Sequence, residues 1–82
     1  MITQAAIRRG DDIITGRRHC DCIKAAMAQG WKPPVTQKEQ GFVDDTGRYY
    51  NRKQAKIEAF RCGQITQSYF ESQRKLLSED LW

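Results

Sequence analysis

The only two prolines of the chain stand side by side, at Pro33-Pro34, in a polar connection between two better-patterned stretches. Proline has no main-chain N–H and a fixed φ, and it pushes the residue before it out of the helical region, so no helix or interior strand runs through this pair. The chain is therefore read as two halves that each carry their own regular structure. With 82 residues in all, neither half can enclose a core of its own. A domain of this size buries only roughly 60% of the surface that its unfolded chain exposes. The halves are expected to share one core, as a single domain over residues 1–82, with dimerisation as a way to bury more.

In the first half, Ile2 to Ile7 and Ile13-Ile14-Thr15 carry β-branched residues around the polar turn Arg9-Gly10-Asp11-Asp12, the pattern of a β-hairpin. Gly16-Arg17-Arg18 then leads into an Ala-rich run, His19 to Gln29, that stops at Gly30 and predicts a helix with Cys20, Ile23 and Met27 on one face. In the second half, Gly41-Phe42-Val43 and Arg48-Tyr49-Tyr50 flank Asp44-Asp45-Thr46-Gly47, which predicts a second hairpin. A second helix follows, with Asn51 as N-cap, Gln54 at the capping-box position and Gly63 past its end. Ala55, Ala59 and Cys62 trace its expected inner face, widened by Phe60. Residues 64–82 read as an irregular or partly helical tail. Its Leu76, Leu77, Leu81 and Trp82 are expected to pack on the domain or on a partner subunit. The expected fold is α+β, in the order β-β-α-β-β-α plus tail: two hairpins forming an antiparallel sheet, with two helices on one face.

Fourteen Lys and Arg against ten Asp and Glu give a net charge of +4, which suits an anionic partner without amounting to a nucleic-acid-binding arm. No run of about 18 apolar residues is present, and the start of the sequence lacks a basic segment followed by an apolar one, so neither a membrane span nor a signal peptide is expected. A cytoplasmic protein is the expectation. Three cysteines, an odd number, speak for reduced thiols acting as small core residues. With His19 they add up to the ligand count of a structural zinc site. However, the run His19-Cys20-Asp21-Cys22 points its ligands around a helix axis and lacks the usual two-residue gap, so no metal and no cofactor is expected.

The densest chemical cluster is Arg17-Arg18-His19-Cys20-Asp21, where a strand gives way to a helix start and cations and free N–H groups can converge on a phosphate. Lys24, Arg48, Arg52 and Lys53 are further donors, and guanidinium forks suit phosphate oxygens. The competing reading of each is a solvated charge. His19 is the sole histidine and the one acid-base candidate near neutral pH. Its plainer role is a structural hydrogen bond at the helix start, and Asp21 is placed poorly to pair with it. Tyr49, Tyr50 and Trp31 could stack on a base or fill the core. Ser78-Glu79-Asp80 offers a cap and two acids that close a helical turn, pair with Arg, or bind ribose hydroxyls.

Taken together, these residues resemble a family of short, mostly uncharacterised proteins of tailed phages and prophages. The resemblance rests on R-H-x-D at Arg18, His19 and Asp21; G-F at Gly41-Phe42; G-R plus an aromatic at Gly47-Arg48-Tyr49; Arg52 and Ala55; G-Q at Gly63-Gln64; and S-E-D-L-W at Ser78 to Trp82. Family members often carry a second histidine where this chain has Cys20, which disfavours any mechanism needing two adjacent imidazoles. The phage setting implies an antagonist of host defence that acts on a nucleotide immune signal. On that reading Arg18, His19, Asp21, Arg48, Tyr49, Arg52, Gln64, Glu79 and Asp80 bind a cyclic dinucleotide or ADP-ribose derivative, in a homodimer or higher oligomer with the ligand near the interface. One alternative is a metal-independent phosphodiesterase with His19 as acid or base. Another is a basic protein- or DNA-interaction module. Neither a membrane nor nucleic acid is an expected partner of the first reading.

Overall fold

The β-branched run that opens the chain forms strand β1 (Ile2–Arg9), which turns at Gly10 into β2 (Asp12–Gly16). Gly10 takes φ +62°, the left-handed conformation that hairpin turns need and that glycine adopts without a Cβ penalty. The computed structural model describes residues 1–82. In the second half, β3 (Gln40–Asp44) and β4 (Tyr49–Asn51) form the other hairpin. Asp44 organises its turn. The carboxylate accepts from the Thr46 and Arg48 main-chain N–H groups, both at 2.9 Å, from the Thr46 hydroxyl at 2.6 Å and from the Tyr50 hydroxyl at 2.8 Å. These donors, the Thr46 hydroxyl foremost, hold the Asp44 carboxyl well below the usual carboxylate range.

The four strands lie in the order β2-β1-β3-β4, every neighbouring pair antiparallel. The earliest strand in the chain is thus an interior one. Register sets the layers: Ile7 pairs with Ile14 and Gln40, Ala5 with Phe42, and Phe42 with Tyr50. Residues paired across antiparallel strands project to the same side, so Ala5, Ile7, Ile14, Phe42 and Tyr50 share one face. Helices α1 (His19–Ala28) and α2 (Arg52–Arg61) both pack there, giving an α+β domain with helices on one side of an antiparallel sheet.

α1 seats Cys22 and Ala26 against Ala5 and Ile7. This differs from the face read from sequence: Cys20 and Met27 are exposed and Ile23 is only partly covered. The reason is steric. Opposite the small Ala5 and Gly16 the helix approaches closely, and a Cβ on Gly16 would already lie 3.3 Å from the Cys22 sulfur. Only small side chains fit between helix and sheet at that distance, so the bulkier apolar residues turn outward. α2 is capped as its sequence indicates, with Asn51 and Gln54 forming a capping box and Gly63 at φ +76° past the end, an N-cap worth about 1 kcal/mol. Ala55 and Ala59 enter the main core with Ile2, Phe42, Ile65 and Leu76. Cys62 is exposed, contrary to the expected inner face, and Glu58 is buried instead. Phe60 also lies outside the core, stacked on Phe70 with centroids 4.4 Å apart. Of the three thiols only Cys22 is buried.

The remainder of the chain folds back over this layer. A short helix α3 (Gln67–Glu71) precedes an extended stretch that buries Leu76, and a 3-10 turn at Ser78–Asp80 brings Leu81 and Trp82 against the Phe42 cluster. Gln64 holds the chain on the sheet by pairing with Ile2 like a fragment of strand: its Nε2 donates to the Ile2 carbonyl at 2.9 Å, and its Oε1 accepts from the Ile2 N–H at 2.8 Å. The proline connection is held by Arg9. Its guanidinium pairs with Glu39 at 2.5 Å, donates to the Lys32 and Pro34 carbonyls and lies 4.9 Å from the Trp31 ring centroid. That guanidinium pulls the Glu39 carboxyl down to about 2. No helix is long and apolar enough to cross a membrane.

Candidate functional site

Both long helices start at the same end of the sheet, from its two edge strands. The β2 end at Gly16 lies beside Ala5, and the β4 end at Asn51 lies beside Gly41, so the N-termini of α1 and α2 converge on Phe42. Three of the residues singled out from sequence meet there. His19 stands edge-on to Phe42 at 5.0 Å, and its Nε2 lies 2.7 Å from the Gly41 carbonyl oxygen. A carbonyl only accepts, so Nε2 carries the proton and donates. Burial lowers the His19 pKa and the nearby Arg52 charge acts in the same direction, against the Gly41 bond and the Glu79 charge. The ring is therefore a neutral structural donor with Nδ1 as its remaining acceptor.

Arg18 and Arg52 flank this histidine, and both reach the tail. Arg18 donates to the main-chain oxygen of Trp82 at 2.6 Å, while the Trp82 indole N–H donates to the Arg17 carbonyl at 2.9 Å and its ring meets Phe42 edge-on. Arg52 donates to the Leu76 carbonyl and, at 2.8 Å, to Gln40 Oε1. The space between the helix starts is thus filled by the chain's own tail. Arg18 Nη1 and Arg52 Nε remain buried without a partner.

The other residues of the sequence reading lie elsewhere. Arg48 sits over the Tyr50 ring at 5.2 Å, Gln64 is committed to Ile2, and Asp21 is exposed. Tyr49 is on the opposite face of the sheet, beneath the Arg8 guanidinium at 5.7 Å. Asp80 accepts from the Tyr69 hydroxyl at 2.7 Å, and Glu79 is an exposed charge near His19 and Arg52. No three His, Cys, Asp or Glu side chains come together in an arrangement fit for a metal ion.

A cavity lies beside α2. It is a cleft of about 640 Å³ between that helix, the Gln37–Lys38 segment and residues 70–76. Six of its twelve lining residues are cations: Lys38, Arg52, Lys53, Lys56, Arg74 and Lys75. No Asp or Glu lines it, and Ile57, Phe70 and Leu76 supply its apolar part. Lys56 builds the wall, its ammonium donating to the Ser72 and Arg74 carbonyls at 2.8 Å. Arg74 is shared between Asp80 at 3.8 Å and the Tyr69 ring at 5.2 Å. Lys38, Lys53 and Lys75 make no ion pair. Like charges gathered around a concave apolar surface raise the local potential and draw in anions.

A family model matches the whole chain, residues 1–82, and its description is Phage T4 y16D protein. The chain belongs to this family. Comparison with curated proteins and with solved structures returned no match. For this phage protein the basic cleft is the part that sequence reading missed, apart from Arg52 and Lys53. Its lysines come from three separate segments, and only Lys53, Lys56 and Ile57, at helical i, i+3 and i+4 spacing on α2, mark a common face in the sequence.

Proposed function

We propose that this phage protein binds a phosphorylated nucleotide in the cleft beside α2 and, by holding it, neutralises a host immune signal such as a cyclic dinucleotide or an ADP-ribose derivative. The carrying observation is the lining of the cleft: six cations and no carboxylate around an apolar floor. A volume of about 640 Å³ lies within the roughly 300–1,000 Å³ typical of small-molecule sites. The three unpaired lysines supply charge for phosphates, and Ile57 and Phe70 offer a surface for a flat base.

Sequestration is favoured over cleavage by the position of His19. The only histidine is outside the cleft, with its Nε2 proton committed to Gly41, so the cleft has neither the imidazole nor the carboxylate that general acid-base chemistry ordinarily uses. Calorimetry against cyclic dinucleotides, ADP-ribose derivatives and mononucleotides tests the reading. A Kd below about 10 μM, near −7 kcal/mol, is expected for at least one of them, with loss of binding in Lys53→Glu and Lys75→Glu. Absence of nucleotide affinity together with salt-sensitive binding to duplex DNA would replace it with a DNA-interaction module.

A further inference from the structure

A second cleft, of about 450 Å³, adjoins the first and is lined by Arg8, Gly10, Lys38, Tyr49, Asn51 and Gln54. Lys38 lines both cavities, and the first turn of α2 is divided between them, with Arg52 and Lys53 on one side and Asn51 and Gln54 on the other. Like the larger cleft, the smaller one has no acidic residue in its lining. The two clefts carry one sign of charge and share one lysine near the N-terminal end of α2.

The groups in the smaller cleft suit a second nucleotide unit. Tyr49 is a half-buried aromatic ring with the Arg8 guanidinium 5.7 Å from its centroid, and rings and guanidinium planes are the usual stacking partners of bases. Asn51 and Gln54 use their side-chain oxygens in the capping box. Their amide NH₂ groups stay free to donate to a base edge or a phosphate oxygen. Lys38 stands at the boundary, where a bridging phosphate would fall, and its place is set by the Thr36–Glu39 capping box and by the Arg9–Glu39 pair.

We infer that the ligand is a phosphodiester-linked dinucleotide unit, one nucleotide in the α2 cleft and the next beyond Lys38 against Arg8 and Tyr49. This rests on the nucleotide-binding reading and goes further by fixing the length of the ligand. The shared chemistry is two bases joined through phosphate, in a cyclic dinucleotide or at the end of a short single strand. Calorimetry with AMP, linear pApA and cyclic di-AMP, and with the guanine counterparts of each, separates the two sources.

A dinucleotide is expected to bind at least ~10-fold more tightly than its mononucleotide. Arg8→Ala should abolish that gain while leaving mononucleotide affinity unchanged, and Lys38→Ala should weaken both. Tyr49→Leu should act like Arg8→Ala. Arg8 is exposed, its guanidinium donating to the Gly10 carbonyl and lying over Tyr49, so Arg8→Ala serves as the folded control if Tyr49→Leu melts early. Equal affinities for mono- and dinucleotide overturn the inference and leave the nucleotide-binding reading standing. So does a dinucleotide gain that survives Arg8→Ala. Failure of every nucleotide to bind overturns both.

Discussion

Trp82→Ala tests how the tail is held. The Trp82 ring packs against the Phe42 cluster, edge-on to Phe42 at 6.4 Å, and its N–H donates to Arg17 O at 2.9 Å. Replacing a fully buried Trp by Ala costs about 3–5 kcal/mol. Trp82 is only partly covered, which brings the packing loss to roughly 2 kcal/mol, and the indole hydrogen bond adds about 1 kcal/mol. The expected total is about 3 kcal/mol, a drop in Tm of roughly 12–24 °C for a domain of this size. Trp82→Phe keeps a ring against Phe42 and loses the N–H, so it should cost about 1 kcal/mol. Urea unfolding followed by far-ultraviolet circular dichroism reads both variants without depending on the fluorophore being removed. If Trp82→Ala lies within about 0.5 kcal/mol of the parent at an unchanged m-value, the ring does not anchor the tail. If Trp82→Phe costs as much as Trp82→Ala, the hydrogen bond rather than the ring is responsible.

Gly41→Ala should cost at least ~3 kcal/mol, because its Cβ would collide with the main-chain oxygen of Tyr50 and lie 2.5 Å from the Tyr49 hydroxyl. Gly63→Ala, in open space at φ +76°, should cost only about 1 kcal/mol, and equal costs in denaturant melts would refute the steric account. Because the folded pKa of His19 is lowered, the unfolded chain takes up a proton near pH 6.5 that the folded chain refuses. Stability should be level above about pH 6.5, fall as the pH drops below it, and fall again from about pH 4.5 toward 2 as Glu39 and Asp44 protonate. His19→Gln should remove the first slope and leave the second. Finally, Cys20 and Cys62 are exposed while Cys22 is buried with its thiol pushed up to about 11, so a thiol reagent should modify two of the three cysteines before unfolding and the third only with it.

The parts of the fold that local chemistry specifies were legible in the sequence. Gly10 and Asp44 to Gly47 mark turns because only certain residues make them, and Asn51, Gln54 and Gly63 mark α2 because helix ends need particular partners. The buried face of α1 was not legible. Periodicity favoured Cys20, Ile23 and Met27, but helix-to-sheet distance, fixed by Ala5 and Gly16 on other elements, selected Cys22 and Ala26. At the candidate site, the meeting of Arg18, His19 and Arg52 followed from strand ends that sequence could place. The use of Arg18 and Arg52 to hold main-chain oxygens of Trp82 and Leu76 did not, since a guanidinium looks the same in sequence whether it binds a ligand or a carbonyl. Gln64 is a similar case: its two bonds to Ile2 span 62 residues and leave no local trace. The basic cleft was hidden because Lys38, Lys53 and Lys75 come together only once the tail has folded back.

The interior position of β1 shapes how the chain must be made on a ribosome. β1 is synthesised ahead of the other strands and meets β2 within a short hairpin, but its second edge waits for Gln40–Asp44. At roughly 5–20 residues per second, that edge stays bare for seconds, offering unpaired main-chain groups to any neighbouring nascent chain. Two chains emerging side by side could satisfy it reciprocally, each lending β3, β4 and α2 to the other across the Pro33-Pro34 connection. Such an exchanged pair would keep the β1–β3 pairing of the monomer but open the connection itself. The Arg9 clamp on Glu39, Lys32 and Pro34 is the feature that opposes it, because it folds the connection back on the strand from which it came. Weakening the clamp, as in Arg9→Ala, should therefore shift co-expressed chains toward intertwined dimers.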